Sequence, residues 1–259
     1  MSATSAAGVG GSQSIQRAVS LLKLVAAAAE GARYVDLVGQ TGLQPATVHR
    51  MLRRLVIEGL LQQNRRDKRY RLGPLAYEIG LAASAQFDLR SVVAPSLERI
   101  SRATGDTSFL TVHSGLDAVC VDRKEGAFPV KALTVEVGSR RPLGTAAGSL
   151  ALLYPRPEED IVRIVDANEA KLTRYGELTK EKLWRLVRLA KRLGYALNAD
   201  VILPGVTGIG VPIPSRVGYP TAALSVVAIS SRLPRKHHAQ IVDLLQREVH
   251  QISRILSGL

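Results

Sequence analysis

Between Pro45 and Gly59 the sequence leaves the chain little choice of structure. Proline lacks an N–H and holds φ near the helical value, so it favours the first helical position, and a glycine past the last apolar residue marks the stop. Inside those limits Val48, Leu52, Leu55 and Val56 recur at helical spacing, which predicts an amphipathic helix from Pro45 to about Glu58. Ahead of it, Val35–Gln40 predicts a short helix with Leu37 and Val38 apolar, closed by the turn Thr41-Gly42-Leu43. Behind it, Leu60–Asn64 and Arg69–Leu72 read as two short strands around Arg65-Arg66-Asp67-Lys68. A first helix over Ser14–Ala27, apolar at Ile15, Val19, Leu22 and Val25, completes three helices and a hairpin before Gly73-Pro74.

In a pair of helices joined by a tight turn, the second can lie in the major groove of DNA with its N-terminal residues against base edges. With Val48, Leu52 and Leu55 turned to a core, helical geometry points Ala46, Thr47, His49, Arg50 and Arg53 outward. Arg50 can present two parallel donors to guanine, and Thr47 can bond a phosphate or a base while its methyl meets a thymine methyl. His49 and Arg53 can reach phosphates, which position a protein without reading sequence. The hairpin adds Arg65, Arg66, Lys68, Arg69 and Arg71, offset only by Asp67. Such a wing suits a phosphate backbone or a narrow minor groove. Arg54 and Arg17 complete the candidate DNA-contact set. Helix-plus-hairpin units also serve as protein-interaction modules, and charge runs are usually solvated faces. A basic helix and a basic turn coinciding is what favours DNA.

Net charge alone does not make that case. The chain carries +13, but residues 1–88 contribute +5 and residues 89–259 contribute +8, so the excess locates no binding face. Residues 171–192 hold 8 basic and 2 acidic side chains around an ordinary amphipathic helix. There Lys180, Lys182, Arg185, Arg188, Lys191 and Arg192 read as a solvated face, with membrane-surface or extra DNA contact as the alternative. The sole cysteine, Cys120, forms no intrachain bridge, which fits a reducing compartment. No apolar run approaches the roughly 20 residues that cross a bilayer. Residues 1–12, rich in Ala, Ser and Gly, read as a disordered tail rather than a leader. The expectation is a cytoplasmic protein with no membrane partner.

Beyond Pro74 a helix over Leu75–Gln86 reads as a connector. Then follow a helix at Val92–Thr104, a hairpin of Thr107–His113 and Ala118–Arg123, and a third strand at Val130–Val137. Helices are expected at Gly148–Leu153, Glu158–Val165 and Leu183–Leu193, strands at Thr207–Ile213 and Ala222–Ile229, and a long closing helix at Leu233–Leu256. The Ala222–Ile229 run is apolar enough to be central. Hairpins rather than regular βαβ alternation make the fold class α+β. P-loop, H-E-x-x-H, G-x-S-x-G and paired C-x-x-C signatures are absent, and Pro212 and Pro214 forbid the helix that a dinucleotide loop at Gly205–Gly210 would need. Cys120 reads as a core thiol, and His237, His238 and His250 as surface histidines without a third metal ligand. No metal and no cofactor are expected.

Ser14-Ile15-Gln16-Arg17-Ala18, Thr41-Gly42-Leu43, Thr47-Val48-His49-Arg50-Met51-Leu52 and Tyr70-Arg71-Leu72-Gly73 together resemble the IclR family of bacterial transcription regulators. Val137–Leu143 and Ala222–Val226 are similar to a strand exit and the central strand of that family's second domain, and Gly194-Tyr195-Ala196 with Pro204-Gly205-Val206 resembles its effector loop, which forms the effector cup with the sheet. The resemblance runs from about residue 13 to the end. It implies a winged helix-turn-helix at 13–73, a linker helix at 74–90, and at 91–259 a GAF-like effector and oligomerisation domain with a curved antiparallel sheet. It further implies binding to double-stranded DNA at a pseudo-palindromic operator, a homodimer or dimer of dimers, a small organic acid as effector, and no enzymatic activity.

Carried over by motif, the effector positions are Val130, Arg141, Ala147, Gly148, Asn198, Gly208, Ser225 and Val227. Gly144–Gly148 is small-residue backbone leading into a helix, which favours either a carboxylate at the helix start or close helix packing. A well-known member has an acid at the place of Asn198, a Cys at Gly208, a Ser at Val227 and an apolar residue at Arg141. Less polar bulk with one added guanidinium points to a roomier cup for an aromatic or otherwise larger organic acid. The rival class is a small-molecule-converting enzyme or ligand-binding protein whose basic helical module mediates protein interaction.

Overall fold

A computed structural model of the protein describes residues 7–28, 30–86, 89–132, 135–215, 218 and 220–258. The chain divides into two compact units, Met1–Asp88 and Leu89–Leu259. Among the described residues no helix is long and apolar enough to cross a membrane.

The first unit orders α1 (Ala7–Ala27), α2 (Tyr34–Thr41), α3 (Pro45–Ile57), β1 (Leu61–Gln63), β2 (Tyr70–Leu72) and α4 (Pro74–Gln86). Its core joins Leu21 and Val25 of α1, Leu37 of α2, Val48, Leu52 and Leu55 of α3, and Leu61 and Tyr70 of the hairpin. Each such side chain, fully buried, contributes roughly 1.5–3 kcal/mol. β1 and β2 pair antiparallel, Leu61 opposite Leu72 and Gln63 opposite Tyr70. Tyr70 also exchanges both backbone bonds with Ala32 at 2.8 and 2.9 Å, which ties the hairpin to the chain between α1 and α2. Two details differ from the expectation. Residues 1–6 of the expected tail lie outside the described residues, and α1 begins at Ala7 rather than Ser14. Ile15 and Val19 are exposed, and Leu21 takes the buried position beside Val25, since α1 packs only along its C-terminal half.

The second unit orders α5 (Leu89–Thr104), β3 (Thr107–Ser114), β4 (Asp117–Lys124), β5 (Arg140–Pro142), α6 (Ala147–Leu153), α7 (Glu158–Leu172), α8 (Lys180–Leu193), β6 (Ala196–Ala199), β7 (Val206–Ile213), β8 (Ala222–Ile229) and α9 (Arg235–Gly258). The strands form one curled antiparallel sheet in the order β5-β4-β3-β8-β7-β6, so the apolar β8 is indeed central. Strand alternation sends Leu110, Ile209, Val211, Leu224 and Val226 to one face, against Val93, Leu97 and Ile100 of α5 and Leu245 and Ile252 of α9. The other face meets α6, α7 and α8 through Ala118, Ala196 and Ala223.

The described part of the expected strand Val130–Val137 is not a strand, and residues 133 and 134 lie outside the described residues. The segment packs on the face of the sheet instead of extending its edge. Ala132 and Val135 lie on Phe109, Cys120 and Val227, while Val130 and Val137 are exposed. The edge groups of Cys120 are already taken by Gly138 and Ser139, at 2.8 and 3.1 Å. β6 was not expected, α5 starts three residues early at Leu89, and α7 runs on to Leu172. His238, expected at the surface, is buried with Nε2 3.0 Å from the Leu233 carbonyl oxygen.

Candidate nucleic-acid interface and ligand cup

α3 buries Val48, Leu52 and Leu55, so the opposite face presents Ala46, His49, Arg50, Arg53 and Arg54, with Thr47 half-buried. α2 fixes where that face begins. The Tyr34 hydroxyl donates to the Pro45 carbonyl at 2.8 Å, and its ring stands edge-on to His49 with centroids 6.2 Å apart. Arg54 pairs with Glu58 one turn along. Arg50 and Arg53 make no hydrogen bond or ion pair among the described residues, which leaves both guanidinium groups available to a partner.

The hairpin's five cations separate into two groups. Arg69 donates from Nη1 to the Gly31 carbonyl at 2.9 Å, and Arg71 from Nη2 to the Glu30 carbonyl at 2.9 Å and to Asp67 Oδ2 at 2.9 Å. These two clamp the hairpin to the chain before α2. The hydrogen bond from Arg71, with that from the Arg69 N–H, holds the Asp67 carboxyl below its ordinary pKa. Asn64 Oδ1 accepts from the Arg66 N–H at 2.8 Å and shapes the turn. Arg65, Arg66 and Lys68 are left exposed at the tip. Arg17 is half-buried on α1. On α8, Lys180 pairs with Asp166 and Lys182 with Glu177, while Arg185, Arg188, Lys191 and Arg192 are exposed.

In the second unit a cavity of about 480 Å³ opens on the α6 side of the sheet. That volume lies inside the range of roughly 300–1,000 Å³ usual for small-molecule sites. Asn198 of β6, Gly208 of β7 and Val227 of β8 stand opposite one another in register, so all three look into the cavity from one row of the sheet. Of the eight positions carried over by motif, Arg141, Ala147, Asn198, Gly208 and Val227 line it. Val130 is 57% exposed and does not. Gly148 is buried in packing, because a Cβ there would come within 2.5 Å of Thr111 Oγ1. Gly210, two residues from Gly208 on the same face, lets the start of α6 touch the sheet, since a Cβ would meet the Ala147 carbonyl at 2.6 Å. Of the two roles open to the small residues of this segment, close packing is the one seen at Gly148. Ser225 lies beneath it, buried.

The polar groups of the cup are few. Asn198 and Ser225 are buried, and neither side chain has a hydrogen-bond partner among the described residues. Thr145 spends its hydroxyl proton on the Pro142 carbonyl at 2.8 Å. Arg141 lies over the Tyr175 ring, 5.4 Å from its centroid. No acidic side chain is among the lining residues. Arg174 and Tyr175, between α7 and α8, line the cavity with Ile202 and Leu203, none of which the sequence singles out, and with Pro204 and Val206 of the stretch that resembles the effector loop. Cys120 sits under the covering segment, opposite Thr111, and burial pushes the pKa of its thiol up to about 11.

Comparison with known proteins gives matches over most of the chain. A family model for the C-terminal domain of the bacterial transcriptional regulator IclR matches residues 81–254, and one for the IclR helix-turn-helix domain matches residues 14–65. The HTH-type transcriptional regulator XynR of Escherichia coli K12 is 27% identical over 245 residues, covering 94% of this chain and 97% of that protein. The HTH-type transcriptional repressor AllR of the same strain is 25% identical over 247 residues, covering 95% and 91%. The crystal structure of an IclR family regulator from Brucella abortus aligns with a TM-score of 0.77 at 22% identity, covering 96% of both chains, a likeness of fold. An IclR homologue from Microbacterium hydrocarbonoxydans, solved in complex with 4-hydroxybenzoate, aligns with a TM-score of 0.69 at 26% identity, covering 95% of this chain and all of that one. The curated relatives named here are regulators or repressors of transcription, not enzymes.

Proposed function

The chain belongs to the IclR family of bacterial transcriptional regulators, and from that membership we propose that a small aromatic acid, held in the cup of its second unit, sets its affinity for a DNA operator. Arg50, Thr47 and His49 read bases from α3, with Ala46 beside them, while Arg53, Arg65, Arg66 and Lys68 hold phosphates. The operator is pseudo-palindromic, read by a homodimer or a dimer of dimers. The observation that carries the DNA part is the availability of Arg50 and Arg53 on the exposed face of α3, in the same small unit as three unpaired hairpin-tip cations. What supports an acid as effector is a mostly apolar cup with cations and no acids on its wall, and with the unpartnered side chain of Asn198 in its lining. The 4-hydroxybenzoate held by the Microbacterium homologue supports the aromatic class.

Two substitutions test the DNA assignment separately. Arg50→Ala costs about 1–3 kcal/mol at one base position and relaxes specificity there. Arg66→Ala weakens all sequences alike and flattens the salt dependence by about one unit. Unchanged binding to the protein's own upstream DNA in both variants overturns the recognition surface. A monomer by light scattering while DNA is saturated overturns the dimer. For the effector, calorimetry with glyoxylate, pyruvate and a panel of aromatic acids decides; binding of the first two and of no aromatic acid rejects the aromatic class.

A further inference from the structure

We infer that Asp200, which is not among the residues lining the cup, is a positioning residue for it, a role that rests on the effector reading above. Its carboxylate fixes the loop between β6 and β7 and thereby sets how tightly an effector is held. That loop, residues 200–205, is neither helix nor strand, yet its Ile202, Leu203 and Pro204 form part of the cavity wall. Asp200 opens it at φ +57°, a left-handed conformation that costs most residues strain and that Asp tolerates better than most. From there its Oδ1 accepts from the Gly205 N–H and from the Ser230 hydroxyl, both at 2.8 Å. Ser230 spends its one proton on Asp200, so Thr207 is the donor in the 2.9 Å bond between the Thr207 and Ser230 hydroxyls. One carboxylate thus ties the first residue of the loop to its last and, through Ser230, to the end of β8.

The middle of the loop is seated by packing. Val201 and Ile202 lie against the core under α6, α7 and α8, and the Ile202 carbonyl meets the 174–176 turn so closely that a Cβ on Gly176 would come within 2.5 Å of its oxygen. Backbone bonds close the ends, from the Asp200 N–H to the Val206 carbonyl at 3.0 Å and from the Ser230 N–H to the Gly205 carbonyl at 2.8 Å. The bonds accepted by Asp200 are the side-chain part of this frame, and hydrogen bonds to an ionised group are roughly twice as strong as neutral ones. A wall already in place asks no ordering of the ligand. Where the wall must be ordered on binding, the apparent affinity falls in proportion to the fraction of molecules in which it is formed.

The test pairs hydrogen–deuterium exchange of the full-length protein with isothermal titration by benzoate and 4-hydroxybenzoate. Asp200→Gly keeps the left-handed backbone and removes the acceptor. In it, exchange over residues 200–206 is faster in the free protein, binding weakens about fivefold, and a saturating acid restores the lost protection. In the wild type the same acid changes that exchange little. Asp200→Asn keeps an Oδ1 acceptor and recovers most of both properties, while Ser230→Ala, which removes one donor outside the loop, falls between. Each variant's thermal transition is recorded beside these measurements. Faster exchange or a lower thermal midpoint with unchanged affinity, or weaker binding with unchanged exchange, overturns the positioning role and leaves the aromatic effector standing. Failure of both acids to bind the wild type overturns the aromatic effector, and the role of Asp200 in holding it.

Discussion

Residues of one type in one short segment do different work here. Arg66 and Arg69 are three positions apart on the same hairpin, yet Arg66 stands free in water while Arg69 is bonded to Gly31, 38 residues back. Arg69→Ala therefore lowers stability by about 1–2 kcal/mol, seen as a lower thermal midpoint, while Arg66→Ala leaves the midpoint alone and changes only DNA affinity. Local pattern supplies five equivalent cations and cannot tell them apart, because the acceptors at Glu30 and Gly31 are distant in sequence. The same limit hid Arg174 and Tyr175. A turn between two helices carries no periodic signal, and only the fold brings it to the cavity. Asn198 and Arg141 were legible through family resemblance, not through residue chemistry. Cys120 adds a pH prediction. With its pKa raised to about 11 in the folded chain and near 8.5 in the unfolded one, the unfolded state loses its proton first as pH rises. Stability is thus unaffected below about pH 8 and falls between about pH 9 and 11, a loss that Cys120→Ala removes from the chemical-denaturation profile.

At the scale of elements, the readable ones are those whose periodicity agrees with their burial. α3 shows an unbroken apolar face between a proline and a glycine, and β8 is apolar except at Ser225 because both of its faces are covered. Val130–Val137 has the apolar and β-branched content of a strand but the wrong neighbours, since the adjacent edge of β4 is bonded to Gly138 and Ser139. β6 is four residues long, too short to stand out, and is made a strand by the partner β7. α5 and α9 are joined by more than apolar contact. Arg99 grips Glu248 through Nε at 3.0 and 3.2 Å and through Nη2 at 2.7 Å, and it also reaches Ser96 and Gln251 at 3.0 Å. Burial alone would raise the Glu248 pKa, but hydrogen bonds from Arg99 and Ser96 and the Arg99 charge outweigh it, so the carboxyl stays below its ordinary range. A depressed carboxylate pKa stabilises the fold at pH above the ordinary value and loses that contribution as pH falls through it. Unfolding followed from pH 7 to 3 should show the second unit weakening below about pH 4, and Glu248→Gln should flatten that dependence while lowering stability at pH 7.

At the scale of the whole molecule, each unit has its own core, Leu21 to Tyr70 in one and the two faces of the six-stranded sheet in the other. Calorimetry should resolve two unfolding transitions. An acid at 100 times its dissociation constant adds about 2.7 kcal/mol to the unit that binds it, so only the transition of residues 89–259 should move. The division into a small basic unit and a larger mixed one was legible from punctuation and pattern, whereas the sheet order was not, because β3 and β8 are neighbours across more than a hundred residues of intervening chain. On β8, Val227 lines the cup and Ser225 packs beneath Gly148 of α6, while Leu224, Val226 and Ala228 turn to α5 and α9. Each successive residue therefore answers to a different constraint, and a substitution at 198 or 227 alters the lining without entering the α5–α9 core. A lineage carrying this frame can change what it senses one side chain at a time and inherit the scaffold intact.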